Sequence, residues 1–147
     1  MKHRNLTLCI GLLAVTFAPA FAGETNDEVA AHNAASELAG AFHNDGFKLR
    51  DGHWSGKVQP GKSQVIQVNL YAGNQYWFSV GTASGNKPAN VSLSIYDETG
   101  KALPAEAQAE GGRAAAGFSP EASGPYFVKV AETEGAPATF CLLYSYK

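Results

Sequence analysis

The side chains in this sequence able to do chemistry are few. Past residue 22 they comprise three histidines, His32, His43 and His53, with Asp45 and Asp51 between the last two; one cysteine, Cys141; and the carboxylate pair Asp97-Glu98. Imidazole and carboxylate together suit a transition-metal ion. On a helix, however, His32 and His43 stand eleven residues and about three turns apart, too far to share one ion. His43, Asp45, Asp51 and His53 could converge only if the loop between them folds back. Cys141 alternates with Phe140 and Leu142 in an apolar run, the setting of a packed thiol rather than a nucleophile. As a leftover cysteine in an exported chain it is also a candidate intermolecular thiol. Asp97-Glu98 could offer oxygens to calcium, but Asp and Gly also suit the turn at 97–100. No Gly-x-Ser-x-Gly elbow occurs, and Gly111-Gly112-Arg113 lacks the strand-then-helix context of a phosphate loop.

Aromatics offer a different chemistry. Trp54, Tyr71, Trp77, Tyr96 and Phe127 fall off the regular apolar faces or at strand ends. Rings left outside a core can stack on sugars or peptides, so Trp54, Trp77 and Tyr96 are the candidate binding residues. The competing reading for Trp77 is burial beneath a covering helix.

The elements that position these residues follow from pattern. Lys2 and Arg4 precede an apolar run at 6–17, too short to span a bilayer comfortably, and Ala20-Phe21-Ala22 has the small residues of a cleavage point. Residues 1–22 read as a secretory signal peptide, which places the protein in the periplasm or outside the cell with no stable membrane anchor. Its removal takes Lys2 and Arg4 but no acid, so the formal net charge goes from −2 to −4. A mildly acidic domain without basic clusters is a poor partner for nucleic acid. One cysteine remains, so no intramolecular disulfide can form.

Residues 24–44 read as a helix. Thr25 and Glu28 fit a capping box, and Ala31, Ala35, Leu38, Ala39 and Phe42 form a narrow apolar stripe. Segment 23–50 is thus a helix and a connecting loop. From there the grammar is β. Ile66, Val68 and Leu70, then Tyr76, Phe78 and Val80, alternate across 62–81 and predict a hairpin around Ala72-Gly73-Asn74. Further strands are expected at 54–59, 90–97, 101–103, 113–118, 126–130 and 139–146, with 104–112 irregular or briefly helical. Seven or eight short strands with turns between them predict an antiparallel β-sandwich or jelly roll over 51–147, mainly β with one N-terminal α-helix.

Three segments in order carry a family resemblance. Gly56-Lys57-Val58 with Ala72-Gly73-Asn74-Gln75-Tyr76-Trp77-Phe78, then 93–100 (LSIYDETG), then 123–130 (SGPYFVKV) resemble the bacterial pre-peptidase C-terminal domain. The resemblance implies a β-sandwich of the kind appended to secreted hydrolases, here in a stand-alone version. Some members resemble collagenase matrix-binding modules that bind calcium through a Glu-x-Asn-Asp lead-in, and Glu24-Thr25-Asn26-Asp27 has that form. The acidic pair those members carry before the second strand is replaced by Pro60-Gly61-Lys62-Ser63. No cofactor is expected, and Glu24, Asn26 and Asp27 are the calcium set to test.

These observations favour an exported, non-enzymatic binding module that recognises a glycan or peptide through surface aromatics. The alternative is a structural or accessory envelope protein that associates with a protein partner through the helix or Cys141. A metal-dependent enzyme using His43 and His53 is the weakest reading.

Overall fold

The computed structural model describes residues 24–147, so the signal-peptide reading lies outside the described residues. Helix α1 spans Asn26–Gly40. The Thr25 hydroxyl accepts from the Glu28 amide at 3.2 Å, and Glu28 Oε2 accepts from the Thr25 amide at 2.7 Å. This is the capping box expected from the sequence, and those hydrogen bonds lower the Glu28 pKa from its ordinary value. A 3-10 turn at His43–Asp45 follows, ending on Gly46 at φ 84°.

Ten strands follow: β1 (Lys48–Leu49), β2 (Trp54–Val58), β3 (Ser63–Leu70), β4 (Tyr76–Ala83), β5 (Ala89–Tyr96), β6 (Ala102–Leu103), β7 (Glu106–Glu110), β8 (Arg113–Phe118), β9 (Gly124–Gly135) and β10 (Ala138–Tyr146). They form two antiparallel sheets. The six-stranded sheet runs β1-β10-β4-β8-β7, with β2 also pairing β10; the four-stranded sheet runs β3-β9-β5-β6. The architecture is the expected β-sandwich with one N-terminal helix.

Two local expectations are corrected. The 62–81 stretch is not a hairpin: β3 pairs β9 in one sheet, while β4 pairs β10 and β8 in the other. Its corner carries the chain between sheets. The Tyr76 hydroxyl holds it by accepting from the Tyr71 amide at 2.9 Å and from Asn74 Nδ2 at 3.1 Å. Alternation assigns faces but not partners, which is why both strands were legible and their pairing was not. Secondly, 106–110 is the edge strand β7, paired with β8, rather than irregular or helical. Its alternating Glu-Ala-Gln-Ala-Glu pattern is weakly strand-forming, and pairing supplies what propensity does not.

The core between the sheets is the one the alternation marks. Phe78, Val80, Leu70, Ile95, Val128 and Leu142 are among its fully enclosed side chains. A second, smaller core lies on the outer face of the six-stranded sheet, where Ala31, Ala35 and Ala39 of α1 cover Cys141 and Leu143. Gly81 on β4 makes that approach possible. A Cβ there would come within 2.4 Å of the Ala35 nitrogen and 2.7 Å of the Ala31 carbonyl oxygen. Backbone sits on backbone with no room for a methyl group.

Glu132 is the anomaly of the interior. It pairs in register with inward-facing Val91, is 2% exposed, and neither carboxylate oxygen has a hydrogen-bond partner among the described residues. Burial pushes its pKa up from the ordinary value of 4.5. The folded state therefore favours the neutral acid. Its contribution to stability is fully present below the ordinary value and is lost as pH rises through the raised one.

Two predictions follow from these contacts. Gly81→Ala is expected to destabilise the protein by about 1–3 kcal/mol through overpacking, read by urea unfolding, and to make Cys141 reactive to a thiol reagent in the native state. Glu132→Gln is expected to gain stability over the parent protein as pH rises from about 4 to about 8. Parallel pH profiles for the two would show that the carboxylate has a partner in solution.

Candidate functional site

The five off-pattern aromatics separate into three places. Trp77 lies on the outer face of the six-stranded sheet beneath the end of the helix. Its ring stacks on Phe42 at 4.3 Å between centroids and 10° between planes, and it crosses Gly117, where a Cβ would meet the indole at 2.9 Å. The covering-helix reading is correct, and Trp77 is a docking residue, half-buried.

Trp54 pairs in register with Leu142 and so faces inward. It stacks on Tyr144 at 6.0 Å, and the Arg50 guanidinium lies 5.2 Å from the Trp54 centroid and 5.3 Å from that of Tyr144. The rings close one end of the core, with Tyr71 and Tyr146 exposed beside them. Burial raises the Tyr144 pKa, with Arg50 opposing. A cation already stacked on both rings leaves Trp54 a poor platform for a ligand.

Tyr96 and Phe127 remain, and they are neighbours. They are cross-strand partners on β5 and β9, facing out from the four-stranded sheet, the one α1 does not cover. Register arranges that face in rows: Gln67, Phe127 and Tyr96 in one, Val65, Lys129 and Ser94 in the next. Val65 is 58% exposed. The Lys129 ammonium lies 5.2 Å from the Tyr96 ring centroid, and its proximity lowers the phenol pKa. Between these side chains and the 97–100 turn is an open depression of about 390 Å³. Apolar rings, a cation and uncharged hydrogen-bonding groups share one accessible surface.

The turn at its rim is built by Asp97. Oδ1 accepts from the Thr99 amide at 2.9 Å, the Thr99 hydroxyl at 2.6 Å and the Lys101 amide at 3.0 Å. These bonds, that from the Thr99 hydroxyl first, lower the Asp97 pKa. The carboxylate holds the turn shut through Oδ1, and Glu98 is exposed beside it.

The remaining candidates are redistributed. Glu24, Asn26 and Asp27 flank and open the first turn of α1, at the positive end of the helix dipole, and Glu28 is committed to the cap. Among the described residues no group of three His, Cys, Asp or Glu side chains is placed to hold a metal ion. His43 does not join His53. His53 meets His32 instead, with ring centroids 4.8 Å apart. Sequence spacing missed that pair because the helix lies across the sheet and brings residue 32 back to the start of β2.

Cys141 is fully enclosed under α1, and burial pushes its thiol up to about 11. A bond to a second chain would require the helix to lift, so the intermolecular-thiol expectation is corrected.

No protein-family profile matches the chain, and no curated protein matches it. Among solved structures, it is similar to a periplasmic inhibitor of g-type lysozyme, PliG from Aeromonas hydrophila. The identity is 16% and the TM-score 0.38, over 63% of this chain and 84% of that one. It is also similar to the CBM22-1 xylan-binding domain of Paenibacillus barcinonensis Xyn10C, at 13% identity and TM-score 0.39, over 69% and 84% of the two chains. Both likenesses are too distant to carry residues or ligands across.

The enclosure of Cys141 gives a direct expectation. Gel filtration should return the same size with and without reductant, and native thiol titration should find Cys141 unreactive until denaturant is added. A reductant-sensitive dimer lost in Cys141→Ser would contradict it.

Proposed function

We propose that this protein is an exported, non-enzymatic binding module that takes a glycan on the outer face of its four-stranded sheet. The observation that supports the reading is the cross-strand Tyr96–Phe127 pair, flanked by Lys129 and Gln67 on the sheet face α1 leaves uncovered. A sugar ring has an apolar C–H face and a rim of hydroxyls. Aromatic rings meet the first; Lys129, Gln67 and Ser94 are donors and acceptors suited to the second. Cross-strand pairing on a rigid sheet sets ring spacing before binding, so little side-chain entropy is lost.

Export rests on the signal-peptide pattern of residues 1–22. Among the described residues no helix is long and apolar enough to cross a membrane. The resemblance of 56–78, 93–100 and 123–130 to the pre-peptidase C-terminal domain accords with a binding module on a β-sandwich. Two of those segments meet in space: Ser123 Oγ accepts from the Ala72 amide at 2.9 Å beside the Leu70–Gly124 pair.

The alternative, association with a protein partner, would use the helix or Cys141. The apolar stripe of α1 is committed to its own sheet and Cys141 lies beneath it, so the glycan reading stands ahead.

A glycan array followed by titration of the best ligand tests the proposal. Tyr96→Ala and Phe127→Ala are each expected to weaken binding by about tenfold or more, with little change in Tm because both rings face solvent. Full affinity in the double variant would overturn it.

A further inference from the structure

We propose that His32 and His53 form a surface site for a divalent late-transition-metal ion, with copper(II) the best fit. The two imidazoles come from different elements: His32 from the middle of α1, His53 from the residue before β2. Their centroids are 4.8 Å apart and their planes are inclined at 54°. An ion bonded about 2.0–2.1 Å from one nitrogen of each ring lies roughly 3.2 Å from each centroid. At the observed separation the two rings then subtend an angle at the ion between a right angle and the tetrahedral value. That is the bite of two adjacent ligands.

The surroundings suit an ion as well. Neither ring makes a hydrogen bond within the described protein, so neither nitrogen lone pair is already committed. His53 is exposed and His32 half-buried, which lets the rings adjust and leaves water the remaining coordination positions. Glu28, one turn before His32 on the helix, is within electrostatic reach of His53 and puts negative charge beside the pair, with Lys57 opposing it. Two neutral imidazoles plus water select copper(II), nickel(II) or zinc(II) over magnesium or calcium, and copper(II) heads that series. The pair also bridges two structural elements. His32 follows Ala31 in the turn of α1 that packs on Gly81, and His53 immediately precedes β2, which pairs with β10. A bound ion therefore ties the helix to the sheet edge and stabilises the native state.

The test uses protein purified without a histidine tag, titrated with copper(II) by calorimetry and by thermal unfolding. One equivalent should bind near pH 7.5 and raise Tm, and a chelator should reverse both effects. Even the hydrogen-bond partner of a metal-bound imidazole is worth about 10–100-fold in affinity. His32→Ala and His53→Ala should therefore each weaken binding at least tenfold, while His43→Ala leaves it intact. Circular dichroism of the metal-free variants establishes that they fold. Absence of a stoichiometric ion, or binding that survives His32→Ala or His53→Ala in a folded protein, would overturn the proposal.

Discussion

The contact between Gly81 and the Ala31 and Ala35 turns of α1 governs the rest of the molecule. Most of the helix stripe is alanine, too little apolar surface to hold a helix at ordinary helix–sheet distance. The stripe works because the sheet offers a strand with no side chain at the point of closest approach. Away from that point the chain needs filler, and the Phe42–Trp77 stack supplies it at the helix end. One face of the six-stranded sheet is thereby closed, which encloses Cys141 and removes it from redox chemistry.

That closure divides the surface of the sandwich. The six-stranded sheet keeps a narrow groove of about 500 Å³ beside the helix, lined by Leu38, Phe42 and Ala115 and crossed by the Glu37–Arg113 pair at 2.6 Å. Both partners of the pair are largely exposed, and such pairs contribute little. The end of the core is shut by Trp54, Tyr144 and Arg50. What stays open, with rings and polar groups in register, is the outer face of the four-stranded sheet.

Much of this was legible in the sequence because period-two alternation is a direct record of burial. Val91, Leu93 and Ile95, and Tyr76, Phe78 and Val80, are buried as their spacing implies. The capping box at Thr25 and Glu28 and the Pro60-Gly61 turn, closed by the Lys62 amide on the Gln59 carbonyl at 2.9 Å, were equally local. Features that depend on which strand lies beside which were not legible. The 62–81 corner looked like a hairpin because turn chemistry says nothing about the sheet the next strand joins. Trp54 and Tyr96 looked alike in sequence, and only register shows one turned toward Leu142 and the other toward solvent. The His32–His53 pair and the unpartnered Glu132 are products of tertiary placement and had no signal along the chain.

In the proposed glycan-binding reading, the outer face of the four-stranded sheet is the working surface. Residue-resolved NMR during titration with a glycan selected on an array tests this most directly. The predicted result is a set of shift changes centred on Gln67, Ser94, Tyr96, Phe127 and Lys129, with α1 and the Arg50–Trp54 end silent. Changes centred on Arg50, Trp54 and Tyr71, or on the helix groove, would contradict it.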